Sequence, residues 1–251
     1  MMDSKGLLFD KVYNRISFDS VNKVLYHRTD IKALTCDGGI LSGLLSQAHS
    51  KDEYFNLRLS NCRSVYGDDA DGKYGAKYLS DFYKSLQCPI KDSILNEAVD
   101  DYRSILQIIC FCPDYDNDEL LKYGEIALGF DAVVLSHHLQ LHRCIYEDLP
   151  TNEVRFYQPD DLDDNPQRAK ISEQEVNRLP GLLLSLCKHP KYYKEKEVRG
   201  CCFVDSYEKY SYIRLPRKSL VDIRICKNSS STSEMKNIAN RYDLDSLLHT
   251  Y

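Results

Sequence analysis

Apolar residues along this chain fall into several short runs of strand length. The run I-L-Q-I-I-C-F-C at 105–112, closed by Pro113, is typical of a strand buried on both faces. The runs V-L-Y-H-R-T at 24–29 and E-I-A-L-G-F at 125–130 are also predicted to be strands. The full set of predicted strands is 24–29, 105–112, 125–130, 144–146, 198–204, 210–215 and 220–226.

Amphipathic segments between these runs predict helices at 31–45, 76–86, 92–104, 118–123, 133–142, 174–187 and 234–248. Polar, Asp- and Gly-rich composition predicts loops at 50–75 and 158–167. No internal repeat and no domain boundary is evident. The pattern therefore predicts a single α+β domain over 1–251. An N-terminal arm is expected at 1–20, and a linker followed by a short C-terminal helix at 228–251.

Composition narrows the functional classes. The formal charge is −5 over 251 residues, with both signs mixed, so no domain-wide basic surface is expected for DNA.

Most of the ten cysteines stand inside apolar runs, which favours buried free thiols in a reducing compartment over disulfides. No apolar stretch approaches the roughly 20 residues of a spanning helix. We therefore expect no membrane partner, and a location in the cytoplasm or, for a secreted toxin, in the cytosol of a host cell.

Two motifs imitate ligand sites without meeting their requirements. G-D-D-A-D-G-K-Y at 67–74 resembles a phosphate-binding loop, but Tyr74 replaces the Ser or Thr that holds magnesium, and the three aspartates would repel phosphate. It also fails as a calcium loop, because Gly67 replaces the first ligand. His138 and His142 would share one face of the predicted helix at 133–142, yet no H-E-x-x-H or C-x-x-C motif accompanies them. No metal site is predicted.

Three other segments carry a more specific pattern. They are L-Y-H-R-T at 25–29, C-F-C-P-D-Y-D-N-D-E-L-L-K-Y-G-E-I-A-L-G-F-D at 110–131, and K-H-P-K-Y-Y-K-E-K-E-V-R at 188–199. In the last segment Glu195 and Glu197 are two residues apart. If this run is a strand, both carboxylates point to one face and line one cleft. Two neighbouring like charges would also raise one pKa. Taken alone, a K-E-K-E run is more often a solvated face with weak ion pairs.

These blocks, in this order, resemble the bacterial family catalogued as DUF2971, which we associate with the ADP-ribosyltransferase superfamily. The resemblance spans about residues 24–204. It departs from the family pattern at Leu120, where the family has Trp, and at Tyr192 or Tyr193, which replaces a later Trp. The N-D-P-x-E segment of the family has no clean counterpart between Ser60 and Tyr74.

The resemblance implies a split β-sheet around an NAD cleft and assigns roles by position. In the histidine-type mono-ADP-ribosyltransferases, a His on the first strand holds the adenosine ribose, a Tyr stacks on nicotinamide, and a Glu on a late strand is catalytic. These roles fall on His27, Tyr123 and Glu197. Glu195 would orient or activate the acceptor, with Arg199 binding pyrophosphate or offsetting the acidic pair.

Tyr26 and Arg28 flank the expected imidazole and are also predicted to contact NAD. Tyr26, Tyr66, Tyr74 or Tyr78 are alternatives to Tyr123 as the stacking ring. Without the resemblance, the usual interpretation of a histidine in the position of His27 is a structural role, and that of a tyrosine on a short helix, such as Tyr123, is a place in the core.

The resulting functional hypothesis is an NAD-dependent mono-ADP-ribosyltransferase, acting as a bacterial toxin, effector or defence protein on a macromolecular acceptor. Because the chain is acidic, a protein acceptor is favoured over nucleic acid. Some effectors of this superfamily modify host ubiquitin on threonine, so ubiquitin is one candidate partner. The alternatives are an NAD glycohydrolase, with water as acceptor, and an inactive partner-binding module of the same fold.

Overall fold

A computed structural model describes residues 18–21, 23–36, 39–40, 54–62, 103–146 and 185–251. The predicted helices at 76–86, 92–104 and 174–187 lie wholly or mostly outside these residues. So do the loops at 67–74 and 158–167, and the alternative stacking residues Tyr66, Tyr74 and Tyr78.

The described residues form an α+β fold, as predicted. Nine strands are described: β1 (Val24–Thr29), β2 (Tyr54–Asn61), β3 (Leu106–Phe111), β4 (Ile126–Asp131), β5 (Gln140–Arg143), β6 (Val198–Phe203), β7 (Tyr210–Pro216), β8 (Leu220–Ile225) and β9 (Leu248–Thr250). The described α-helices are α1 (Ile31–Thr35), α2 (Ala132–Ser136) and α3 (Thr232–Arg241). Short 3-10 helices span Asp118–Tyr123, Pro190–Glu195, Arg217–Ser219 and Asp245–Leu247.

The strands form two sheets. One has the order β1-β4-β8-β9, and the other has the order β5-β6-β3-β2-β7. The β8–β9 pair is parallel, and the other neighbouring pairs are antiparallel. Six of the seven predicted strands are confirmed, with small shifts at their ends. The exception is 144–146, where Ile145 makes only an isolated bridge to Cys187.

Several element predictions were wrong. The segment predicted as a loop at 50–75 contains β2, in which Phe55, Leu57 and Leu59 alternate inward. The predicted helix at 133–142 is instead the short helix α2 followed by β5. Helix α1 ends at Thr35, and α3 begins inside the predicted linker at 228–233. Because His142 lies on β5, the two histidines considered for zinc do not share a helix face.

The core lies between the two sheets. Phe130 of β4 contacts Phe111 of β3 and Phe55 of β2, with ring centroids 6.0 and 6.3 Å apart, and all three rings are buried. Each such side chain contributes on the order of 2 kcal/mol by leaving water. The described cysteines are free thiols, mostly buried or partly buried, as the sequence predicted.

The two sheets are joined at Tyr26 in β1. Tyr26 and Cys112 exchange two backbone hydrogen bonds of 2.8 Å, which join β1 to the residue after β3. On its other edge β1 pairs with β4 along its whole length, while β3 pairs with β2 and β6. The sheets therefore separate next to the bridge and leave a cleft.

The longest described helix, α3, has 10 residues, and no described helix is long and apolar enough to cross a membrane.

Gly124 fixes the junction between the 3-10 helix that carries Tyr123 and strand β4. Its φ of 141° is unfavourable for other residues, and a Cβ here would overlap the backbone carbonyl of Thr29. We expect Gly124→Ala to lower the free energy of unfolding by about 2 kcal/mol or more, measured by urea denaturation. Lys236→Ala, at an exposed position of α3, should change it by less than about 0.5 kcal/mol. Equal effects of the two substitutions would contradict this assignment.

Candidate functional site

A cavity of about 440 Å³ lies where the sheets separate. Its wall is built by β1, the middle of β3, two side chains of β2, the 3-10 helix before β4, and the segment leading into β6. This volume is within the range of small-molecule sites, about 300–1,000 Å³. The cavity is therefore the candidate functional site among the residues that the structure describes.

Most of the residues predicted from the sequence border this one cavity. His27, Tyr123 and Glu197 all line it, although they come from three separate parts of the chain. The lining also includes Tyr26, Arg28 and Arg199. Glu195 does not line the cavity and lies behind it, bound to residues of the lining.

Glu197 is buried and its carboxylate is ionised. Arg199 Nε donates to Glu197 Oε1 at 2.6 Å, and Lys188 Nζ donates to Oε2 at 2.5 Å. The thiol of Cys110 is a further donor. Burial would raise the pKa of Glu197, but Arg199 and Lys188 outweigh it and lower this pKa from 4.5 to about 2. The neighbouring carboxylate was expected to raise one pKa of the pair; the pKa of Glu197 is instead lowered, and a cation stands between the two acids.

Lys188 is that cation. Its ammonium donates to Glu195 Oε2 at 2.6 Å as well as to Glu197, and its side chain is only 5% exposed. Burial would lower the pKa of Lys188, but its interaction with Glu197 raises it well above the ordinary value. Lys188 is thus a buried, charged link between the two glutamates.

Glu195 is anchored on its other oxygen too. Lys122 Nζ donates to Glu195 Oε1 at 2.7 Å, and the hydroxyl of Tyr123 donates to the same oxygen at 3.3 Å. Glu195 therefore connects the segment before β6 to the 3-10 helix before β4. This contact holds Tyr123 at the edge of the cavity.

The two glutamates do not converge by strand alternation, as the sequence suggested. Glu195 ends the 3-10 helix Pro190–Glu195, and Glu197 precedes the first residue of β6. Lys196, between them, has a left-handed backbone with φ 47° and ψ 39°. Its own side chain is exposed and pairs with Asp114 at 2.8 Å. A turn, not a strand, brings the two carboxylates to Lys188.

His27 is held as a neutral acceptor. Its Nδ1 lies 2.8 Å from the carbonyl oxygen of Cys110, which can only accept, so Nδ1 carries the proton. Burial lowers the pKa of His27, so the ring is neutral and Nε2 keeps its lone pair. The imidazole also spans the gap between β1 and β3, next to the bridge at Tyr26.

Two tyrosine rings border the cavity near Glu197. Tyr123 is 52% exposed, so it is not a core residue, and burial of its hydroxyl followed by the charge of Glu195 raises its pKa. Tyr192, one of the two tyrosines suggested for the later Trp position of the resembled pattern, also lines the cavity. Lys188 and Lys191 lie 5.2 and 4.6 Å from the centroid of the Tyr192 ring.

Tyr26 and Arg28 border the cavity, but their side chains bond to groups on the other face of β1 from His27. The hydroxyl of Tyr26 donates to Asp222 at 2.8 Å, and Arg28 Nη2 donates to the hydroxyl of Tyr251 at 2.6 Å. Burial, followed by the bond to Asp222, raises the pKa of Tyr26. The described contacts of both side chains are thus internal.

Arg199 is occupied in the same way, because its guanidinium donates to Glu197 and to the carbonyl of Ser185. Of its two suggested roles, offsetting the acidic pair is the one these contacts support.

Sequence reasoning missed Lys188, Lys122 and Arg58 as site residues. Lys188 had one detectable signal, since it directly follows the apolar run L-L-L-S-L-C at 182–187, where a lysine that remains in solvent is less expected. Lys122 had no such signal, because Glu195, with which it forms an ion pair, lies 73 positions away in the chain. Arg58 was hidden by the failure to predict β2.

No protein family, curated protein or solved structure matches this chain. The arrangement itself is therefore the basis for inferring function.

Removing the central cation should destabilise the fold. In Lys188→Met, the two buried carboxylates would lose the cation between them, and each would keep only its partners on the other oxygen. We expect a loss of about 3–5 kcal/mol in the free energy of unfolding, measured by urea denaturation. Lys122→Met is the matched control: it also removes a partner of Glu195, but Lys122 is 47% exposed. It should cost less than about 1 kcal/mol. Similar losses for both variants would show that Lys188 is not the link.

The depressed pKa of Glu197 predicts a specific acid sensitivity. Between about pH 4.5 and 2 the unfolded chain binds a proton at this position that the folded protein does not, so stability falls as the pH falls through this window. We expect the difference in unfolding free energy between wild type and Glu197→Gln to shrink across this range, measured by denaturation at several pH values. A difference that is constant with pH would mean that Glu197 titrates normally.

Proposed function

We propose that this protein is an NAD-dependent mono-ADP-ribosyltransferase with an ADP-ribosyltransferase-like split sheet. The observation that carries the proposal is that His27, Tyr123 and Glu197, selected by their order in the sequence, border one cavity between two diverging sheets.

The chemistry fits a buried, ionised carboxylate. Transfer breaks the bond between nicotinamide and the ribose carbon, and nicotinamide leaves with the bonding electrons. Positive charge then develops on the sugar before the acceptor attacks. A carboxylate with a pKa of about 2 remains negative at neutral pH and stabilises that charge. We therefore propose an electrostatic role for Glu197, with the acceptor's proton released to solvent.

The other two residues have properties suited to binding the dinucleotide. The neutral imidazole of His27 offers Nε2 as an acceptor for a ribose hydroxyl. The half-exposed ring of Tyr123, held by Glu195, offers a face on which nicotinamide can stack. Lys188 and Arg199 keep Glu197 charged, and we assign them to positioning it.

For the acceptor we propose a protein side chain, in keeping with a toxin, effector or defence role. Threonine of ubiquitin is the first acceptor to test. The rival enzyme, an NAD glycohydrolase, would use the same cavity with water as acceptor. An inactive partner-binding module is the second candidate, because both oxygens of Glu197 are already held by Arg199 and Lys188.

The test is incubation of the purified protein with NAD, with and without cell lysate, followed by measurement of nicotinamide and of labelled protein. We expect nicotinamide release with labelling of lysate proteins, and a loss of about 100-fold or more in Glu197→Gln. Glu234→Gln, the same change at an exposed position of α3, should leave the rate unchanged. Release without labelling would favour the hydrolase, and no release by wild type would favour the binding module.

A second variant keeps the test interpretable if Glu197→Gln folds poorly. Because Tyr123 is half-exposed, Tyr123→Leu and Tyr123→Phe should both fold. Loss of the ring should raise the KM for NAD by about tenfold, whereas Phe, which keeps the stacking face, should stay within about threefold. Equal KM values for Leu and Phe would show that another ring contacts nicotinamide.

A further inference from the structure

The outward face of the β2–β7 pair carries tyrosines and basic side chains. In this antiparallel pair, Asn56 lies opposite Arg214, Arg58 opposite Tyr212, and Ser60 opposite Tyr210. Side chains of directly opposed residues point to the same side of a sheet, and so do alternate residues along a strand. The set, named here the Tyr/Arg face, consists of Tyr54, Asn56, Arg58, Ser60, Tyr210, Tyr212 and Arg214.

This face is open to solvent. Tyr54, Tyr210 and Tyr212 are 44%, 39% and 45% exposed, whereas the opposite side of β2 is buried in the core. The seven residues include two arginines and no carboxylate. Tyr and Arg are also the residues enriched in the energetic centres of protein interfaces.

The Tyr/Arg face is continuous with the candidate site. Arg58 and Ser60 belong to this face and also line the cavity that contains Glu197. A partner lying on β2 and β7 would therefore extend to the edge of the cavity. This is the position that an acceptor must occupy if its side chain is to reach a sugar bound inside.

Basic groups on this surface are stacked on tyrosine rings. Arg214 lies 4.6 Å from the centroid of the Tyr54 ring, and Arg58 and Lys209 lie 4.8 and 5.1 Å from that of Tyr210. Stacking on Tyr54 restrains the long side chain of Arg214 and leaves its guanidinium N–H groups at the edge of the stack, where they can donate to a carboxylate. It also covers ring faces that a nucleic-acid base would need.

We propose that the Tyr/Arg face is the docking surface for an acidic segment of the acceptor protein. Its two arginines and lack of a carboxylate give this surface a positive charge, which complements an acidic segment although the overall charge of the protein is −5. The identity of the docked protein as acceptor rests on the function proposed above. The binding itself does not depend on any NAD chemistry.

The experiment measures fluorescence anisotropy of labelled probes with the full chain at low salt. The probes are a synthetic Glu-rich peptide, the same peptide with Gln in place of Glu, and a single-stranded oligothymidylate of equal charge. We expect the Glu peptide to bind in preference to both others. Arg214→Ala should weaken it about tenfold, because it removes a charged donor to the carboxylates.

The matched control is Arg241→Ala, which removes an exposed arginine stacked on a tyrosine elsewhere, 5.8 Å from the ring centroid of Tyr242. It should change the affinity by less than about twofold. Equal losses in the two variants, tighter binding of oligothymidylate, or no binding of the Glu peptide would each overturn the proposal.

Activity separates this proposal from the preceding one. Glu197→Gln should bind the Glu peptide as wild type does, because Glu197 lies inside the cavity. Arg214→Ala should release nicotinamide at the wild-type rate but label lysate proteins at least about fivefold less. Loss of peptide binding in Glu197→Gln, or unchanged labelling by Arg214→Ala, would overturn the docking assignment whatever the outcome for NAD.

Discussion

The ammonium group of Lys188 stands between two buried carboxylates and donates a hydrogen bond to each of them. Transferring three charged groups from water to the protein interior costs more free energy than burying apolar side chains of the same volume. The presence of this network is therefore weak evidence that it was selected for stability. Its clearest effect is on Glu197, which stays ionised while facing a largely enclosed space. Through Glu195 the same network fixes Tyr123, which comes from a distant part of the chain. Lys188 therefore links the part of the site that holds Glu197 to the part that holds Tyr123, and it shares with Arg199 the role of keeping Glu197 charged.

Strands that are buried on both faces were the most predictable elements, because nothing but a continuous apolar run satisfies that environment. β3 and β4 are of this kind. β2 is covered on one side only, and its Y-F-N-L-R-L-S-N sequence has the alternation of a half-buried strand. It was overlooked because the polar residues around it dominated the composition of the segment. Between α2 and β5, the turn at 137–139 contains no Gly or Pro. The sequence therefore carries no sign that the helix ends there and a strand begins.

The sequence could indicate which residues belong to the site, but not which residues would contact them. Three blocks indicated His27, Tyr123 and Glu197, and these residues do share a cavity. The ion-pair and hydrogen-bond partners of these residues could not be inferred, because contacts between segments far apart in the chain produce no repeating pattern in the sequence. The lowered pKa of Glu197 could not be foreseen for the same reason: the sequence shows the neighbouring acid but not Lys188, which folding places between the two acids. Tertiary contacts, rather than local patterns, decide the electrostatics here.

The left-handed backbone of Lys196 restricts which residues can stand between the two glutamates. A left-handed residue costs a non-glycine side chain about 1 kcal/mol, and β-branched residues more. In an alignment, the middle column of this E-x-E should therefore tolerate Gly, Asn or Lys and exclude Val and Ile, which is the reverse of a strand position. Insertion or deletion of one residue there would carry the second acid out of reach of the shared base. The E-x-E spacing here therefore belongs to a turn and not to an extended strand.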